Sequence, residues 1–235
     1  MIVAVIPARG GSKRIPRKNI RHFAGKPIIA YSIAAAQECG LFDRIIVSTD
    51  DAEIKLVAES FGAEVPFVRA PDLSGDLVGT NEVIADALAW LANSNHKIDI
   101  ACGLYATAPF VMADDLRRGY DLLISTKYSF VFSATKFEFP VQRAIRHLEA
   151  NGVVPLLPEF IDARSQDLEE LYHDAGQFYW GRVEAFRSGL PIFSPHSSIV
   201  VLPRYRAIDI DTLEDWTQAE LMYEALAAGK IVARS

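Results

Sequence analysis

Short β-branched runs alternate with stretches of helical apolar spacing along most of this 235-residue chain. No other feature limits the fold so strongly. Ile2–Ile6 has the length and branching of a buried strand, and residues 44–50 (RIIVSTD) and 98–105 (IDIACGLY) repeat the pattern. Helical stretches follow. Residues 26–40 have Pro27 near an opening turn and Gly40 just past the end, and residues 51–62 close on Gly62. A third helix starts at Thr80, placed to cap it, and carries Val83, Ile84, Ala87, Leu88 and Leu91 as one stripe. Residues 63–68 (AEVPFV) read as a short strand that Pro66 confines to an edge or strand end. Segments 113–126 and 129–135 continue the alternation.

Helices of this length between strands imply right-handed crossovers. The expected fold is therefore α/β, a Rossmann-like three-layer sandwich with a mainly parallel sheet covered on both faces. The alternation breaks between about Phe137 and Leu171. There, 141–154 (VQRAIRHLEANGVV) suggests a hairpin and 162–170 (DARSQDLEE) is a polar run. The segment is too short to bury its own core. It reads as an arm inserted into a single domain spanning 1–235, suited either to joining two copies as a homodimer or to serving as a flexible lid. Residues 176–181 (GQFYWG), 197–203 (SSIVVLP) and a helix from Thr212 complete the sheet and its cover.

Half of the residues are apolar and 23% are charged, as in a well-packed globular protein. A formal net charge of −6 argues against nucleic acid as a partner. Cys39 and Cys102 lack the paired spacing of metal ligands and read as reduced core thiols. No apolar run reaches membrane-spanning length, and no basic leader precedes the first strand. A cytoplasmic protein without a membrane partner is expected.

Against this acidity, Arg9, Lys13, Arg14, Arg17 and Lys18 crowd around Gly10 and Gly11 directly after the first strand. The glycines allow unusual backbone angles and close approach of a ligand. Backbone N–H groups and cations converging there suit the phosphates of a small polyanion. The spacing matches neither G-x-x-x-x-G-K-[ST] nor G-x-G-x-x-G. In an open parallel sheet, ligands bind beyond the carboxyl ends of the strands. That rule gathers the loop, Ser48–Asp50, Tyr105–Pro109 and Asp209–Asp211 along one edge. Asp209 and Asp211 stand two apart on an extended segment, with bases about 6.6 Å apart on the same side. Such a pair suits Mg²⁺ shared with substrate phosphates. Alternatively, one aspartate caps the helix that follows.

The loop also resembles the signature A-R-x-x-S-K-x-x-x-x-K-N of sugar-activating cytidylyltransferases, here Ala8, Arg9, Ser12, Lys13, Lys18 and Asn19. With RIIVSTDD, RAPDLSGD and IDIDT in the same order, nearly the whole chain resembles the CMP-sialic acid synthetase family. The resemblance implies a metal-dependent nucleotidyltransferase that activates a nonulosonic acid with CTP. It implies a CTP site of Ala8, Arg9, Gly10, Gly11, Ser12, Lys13, Asn19, Arg69 and Thr80. Arg9, Lys13 and Lys18 would stabilise charge, and Asp209 and Asp211 would bind Mg²⁺, with Mn²⁺ as a substitute.

Departures from the sialate pattern fall on the sugar side. LYATAP puts Tyr105 where those enzymes carry glutamine; in YHDAGQFYW, His173 and Ala175 replace an arginine and an asparagine. Both segments look like the pseudaminic acid branch, whose product serves flagellin and surface glycans. That likeness implies a sugar site of Tyr105, Thr107, His173, Ala175 and Tyr179. Arg164 is displaced by one residue from the arginine of the sialate R-Q-D-L segment, which leaves its role open. Alternatives are the same chemistry on N-acetylneuraminate, legionaminate or 3-deoxy-octulosonate, or a non-catalytic nucleotide-binding protein of this fold.

Overall fold

The computed structural model describes residues 1–75, 78–94, 96–149 and 152–230. Ala150 and Asn151 of the expected hairpin, and Asp76 of the RAPDLSGD motif, lie outside the described residues. Strand β1 (Ile2–Pro7) leads through the basic loop to a small pair, β2 (His22–Phe23) and β3 (Lys26–Pro27). Next come α1 (Ile29–Cys39), β4 (Arg44–Ser48), α2 (Ala52–Ser60) and α3 (Thr80–Asn93). After them come β5 (Ile100–Leu104), α4 (Ala113–Ser125) and β6 (Phe130–Lys136). The arm carries the hairpin β7 (Ile145–Leu148) and β8 (Gly152–Pro155). The chain then forms β9 (Tyr172–Arg182), α5 (Val183–Arg187), β10 (Ser197–Val201) and α6 (Leu213–Ala227).

The main sheet has the order β10-β6-β9-β5-β1-β4. β1 pairs in parallel with β4 and β5, and β6 with β10, as the alternation requires. β9 runs antiparallel to both of its neighbours. The reason lies in the connection: the chain returns from β6 through the arm without a crossover helix, and a direct return gives an antiparallel pair. One consequence bears on function. The start of β9 arrives at the edge where β1, β4 and β5 end, and the Tyr105 N–H donates to the Gln177 carbonyl (2.9 Å).

The two-residue period of β1 divides the core. Ala4 and Ile6 pack with Ile33, Leu116 and Trp180 on one face, while Val3 and Val5 pack with Ile84, Leu88 and Phe186 on the other. The whole α3 stripe, Val83, Ile84, Ala87, Leu88 and Leu91, is buried. Each of its larger side chains stabilises the fold by roughly 1.5–3 kcal/mol. A third cluster, including Phe23, Tyr31, Ile210 and Trp216, seats α6 beside the basic loop. Cys39 and Cys102 are buried, and desolvation raises both thiol pKa values, as suits inert core groups.

Three local expectations change. Pro27 belongs to β3, and α1 starts only at Ile29; Gly40 does close it, with φ 69°. Residues 63–68 make only isolated bridges at Glu64 and Val68, since Pro66 has no N–H to extend a ladder. Gly79, not Thr80, is the N-cap of α3. Thr80 is the first helical residue, and its hydroxyl meets that of Tyr105 instead (3.2 Å).

Candidate functional site

A cavity of about 610 Å³ opens beyond the strand ends. Arg9, Ser12, Lys13, Lys18 and Asn19 form its basic wall. The loop that carries them is braced from its neighbours. Ala8 is buried and donates its N–H to the Ser48 carbonyl (2.9 Å); Gly10 donates to Asp50 Oδ1 (2.9 Å); Asn19 Nδ2 donates to the Arg9 carbonyl (2.9 Å). Neither Gly10 nor Gly11 has a positive φ, contrary to the expectation of unusual angles there; Arg17 takes the left-handed conformation, φ 57°. Gly10 is required by space. A Cβ at this position would lie 2.6 Å from Asp51 Oδ2.

Asp51 has two structural duties. Its Oδ1 accepts from the Glu53 and Ile54 N–H groups and caps α2, and both oxygens accept from Arg17 (2.5 and 2.9 Å). The Arg17 hydrogen bond, aided by the Ile54 and Glu53 N–H groups and opposed by burial, lowers the Asp51 pKa to about 2. Arg69 also lines the cavity but is only 4% exposed. It donates to Ser48 Oγ (3.1 Å) and to the Ser48 carbonyl. Desolvation lowers its pKa, while Asp50 and Asp86 act the other way.

Asp211 lines the cavity beside the loop. Its Oδ2 accepts from Arg14 Nη1 (2.6 Å), and Lys18 Nζ lies 3.6 Å from Oδ1. Asp209 is exposed, yet crowding by surrounding atoms and the Asp211 carboxylate raise its pKa; Lys18 and Arg14 oppose the rise. Between the two aspartates, Ile210 is buried in the α6 core. Neither aspartate caps α6. Thr212 does so in a capping box with Asp215, whose Oδ2 also accepts from the Asp211 N–H (3.0 Å). Two carboxylates close enough for the Asp211 charge to raise the Asp209 pKa offer the hard oxygen donors a divalent ion takes, and such an ion would displace Arg14 and Lys18 from Asp211. Among the described residues there is no cluster of three or more His, Cys, Asp or Glu arranged for a metal. A metal at this pair would complete its shell from substrate oxygens and water.

Tyr105 and Thr107 line the remaining wall. The other residues of the expected sugar set stand behind or beside it. Ala175 is buried in the core cluster against which Tyr105 packs. Tyr179 is buried, with its ring 5.4 Å from that of Tyr105. His173 is exposed, its ring 4.7 Å from Phe137 and its Nδ1 2.9 Å from the Asp174 carbonyl oxygen. Ala8, Gly10, Gly11 and Asp209 flank the lining without forming it. Arg164 pairs with Asp167 in the arm (2.7 Å).

The structure adds Arg14, Leu73, Gly75 and Val78 to the wall. Arg14 was legible as charge but not as the partner of Asp211, which is 197 positions away. Asp174 lies in the YHDAGQFYW stretch with its partners Gly176 and Tyr179, but the Tyr105 ring comes beside them only in the folded sheet.

Comparison with known proteins gives a consistent picture. A family model described as cytidylyltransferase matches residues 3–185. Over 222 residues the chain is 46% identical to pseudaminic acid cytidylyltransferase of Campylobacter jejuni, covering 94% of this chain and 96% of that protein. It is 32% identical to CMP-N,N'-diacetyllegionaminic acid synthase of Legionella pneumophila, covering 95% and 96%. Among solved structures, CMP:2-keto-3-deoxy-manno-octonic acid synthetase complexed with CTP shares the fold, with TM-score 0.67 at 18% identity. That match covers 98% of this chain and 99% of the other.

Proposed function

Because the chain belongs to the cytidylyltransferase family, we propose that it joins CTP to pseudaminic acid, giving CMP-pseudaminic acid and pyrophosphate. The observation that carries this reading is the meeting of Arg9, Lys13 and Lys18 with Asp211 around one cavity. The sugar assignment is supported by the 46% identity to a pseudaminic acid enzyme across nearly the full chain.

The anomeric hydroxyl oxygen of the sugar acid attacks the α-phosphorus of CTP. The bond from that phosphorus to the bridging oxygen breaks, pyrophosphate leaves with the electron pair, and the hydroxyl proton passes to solvent. Arg9, Lys13 and Lys18 neutralise the triphosphate, and their charge meets the negative charge that grows on the departing pyrophosphate. Cations fixed in advance stabilise that change without reorganising. Arg69, Thr80, Ser12 and Asn19 orient the nucleotide; Tyr105 and Thr107 face the sugar acid, backed by Ala175 and Tyr179, with His173 at the rim. Holding the two reactants in line supplies much of the remaining acceleration. Asp209 and Asp211 would hold Mg²⁺, which when bound supplies Lewis acidity at the α-phosphate.

The arm exposes Phe139, Ile145 and Val153. This apolar surface supports a homodimer joined through residues 137–171. Sedimentation of the protein and of a Phe139→Glu, Val153→Glu variant tests it: a dimer that the variant dissociates is expected, and a monomeric parent refutes it.

The functional test is pyrophosphate release from CTP and Mg²⁺ with pseudaminic, N,N'-diacetyllegionaminic, N-acetylneuraminic and 3-deoxy-octulosonic acids. Release with pseudaminic acid is expected. Preference for another acid replaces the substrate, and no release with any of them overturns the enzymatic reading.

A further inference from the structure

Asp174 sits at the start of β9, opposite Ala134 and at the point where the pairing with β6 shifts register. Bulges beside active sites re-aim side chains. This one is pinned by a single carboxylate using both oxygens. Oδ1 accepts from the Gly176 N–H (2.9 Å), and Oδ2 accepts from the Tyr179 hydroxyl. Gly176 has φ +60°, and a Cβ there would sit 3.8 Å from the Tyr105 ring. The Tyr179 ring lies 5.4 Å from the same tyrosine. Oδ2 of Asp174 thus holds the Tyr179 ring beside Tyr105, and Oδ1 holds the Gly176 turn, where an added side chain would reach the Tyr105 ring.

Tyr105 itself has little freedom. Its N–H donates to Gln177, its carbonyl accepts from Ser32 Oγ (2.7 Å), and its hydroxyl meets Thr80 Oγ1 (3.2 Å) on the cavity wall. A carboxylate can only accept, so the Tyr179 proton is committed to Asp174. Burial and the neighbouring Tyr105 and Asp174 groups keep that phenol protonated. The Tyr179 oxygen therefore presents lone pairs toward its surroundings, not a second donor.

We propose that Asp174 is a positioning residue for the sugar-acid half of the cavity, setting the ring and hydroxyl of Tyr105 through Tyr179 and the Gly176 turn. This rests on the reading of the cavity as a CTP and sugar-acid site. Asp174 does not line the cavity, so it acts only through the residues it holds.

The predicted signature is a split between the two substrates. Asp174→Ala should raise KM for pseudaminic acid by about tenfold or more, while KM for CTP stays within about twofold, because only the sugar wall loses its support. Asp174→Asn keeps an acceptor for Gly176 and should be rescued in part. Tyr179→Phe should weaken the sugar by less, and adding it to Asp174→Asn should cost less than the sum of the two single effects. A parallel rise in both KM values, or full additivity, overturns the proposal. Melting temperatures of all variants separate mispositioning from unfolding; if Asp174→Ala fails to fold, the Asn variant carries the test. A second readout needs no turnover: ¹⁹F NMR of fluorotyrosine-labelled protein, with the Tyr105 signal assigned by Tyr105→Phe. The signal should shift in Asp174→Asn, and an unmoved Tyr105 resonance defeats the inference even if the sugar acid proves to be a different one.

Discussion

The two halves of the cavity are built in opposite ways. The basic wall comes from one loop, Arg9 to Asn19, braced by Asp50 and Asp51 of a single neighbouring turn. The opposite wall needs Thr80 from α3, Tyr105 beyond β5, and the bulged start of β9. A wall of several independent cations loses one at a modest cost, since each contributes a separate charge. A wall of interlocked rings and hydroxyls has no spare member, because each group is placed by the next. The first kind of wall suits an invariant triphosphate; the second suits discrimination between sugar acids of similar size.

The largest expected effect tests where the two halves meet. Asp211→Asn should lower kcat on the order of a thousandfold at saturating Mg²⁺, since charge and metal affinity are lost together. Its melting temperature should barely change, because the pair with Arg14 is exposed. A kcat within tenfold of the parent would remove Asp211 from the chemistry.

Discrimination on the interlocked side comes next. Comparing kcat/KM for pseudaminic and N-acetylneuraminic acids under one set of CTP and Mg²⁺ concentrations should give about a hundredfold preference for the former. Two buried polar groups left unpaired by the wrong sugar would suffice. Equal values would show that Tyr105 and its supports do not select.

On the basic side, Arg9→Ala should weaken CTP about tenfold, the loss of one charge-assisted contact among several, with the fold intact. Calorimetric titration decides it. A loss as large as that of Asp211→Asn would mean that the loop too acts as a single unit, and the contrast would fail.

The smallest effect concerns the brace. Asp51 has its folded pKa at about 2, lowered from 3.8, so its stabilising contribution is complete above about pH 4. It is lost as pH falls through 2. Asp51→Asn should cost about 1–2 kcal/mol at neutral pH and flatten that part of the acid-stability curve. Urea melts between pH 2 and pH 7 measure both, and an unchanged slope would show that the loop is held by something else.

Much of this molecule was written locally. The β1 run, the α3 stripe, Gly40, the arm hairpin and the basic loop all follow from periods and turn chemistry that span a few residues. The alternation at Asp209, Ile210 and Asp211 was equally local: burying the isoleucine under α6 leaves both carboxylates outside that core. Tertiary structure decided the rest. Thr80 looked like a cap, yet Gly79 holds that place and the threonine hydroxyl meets Tyr105. Nothing near Arg14 named Asp211 as its partner, and nothing local placed the Tyr105 ring beside the Asp174–Tyr179 pair. The Tyr105–Tyr179 contact depends on β9 returning antiparallel between β5 and β6. Strand order and direction are chosen by the free energy of the whole sheet and by the route of its connections, which no short window of sequence contains.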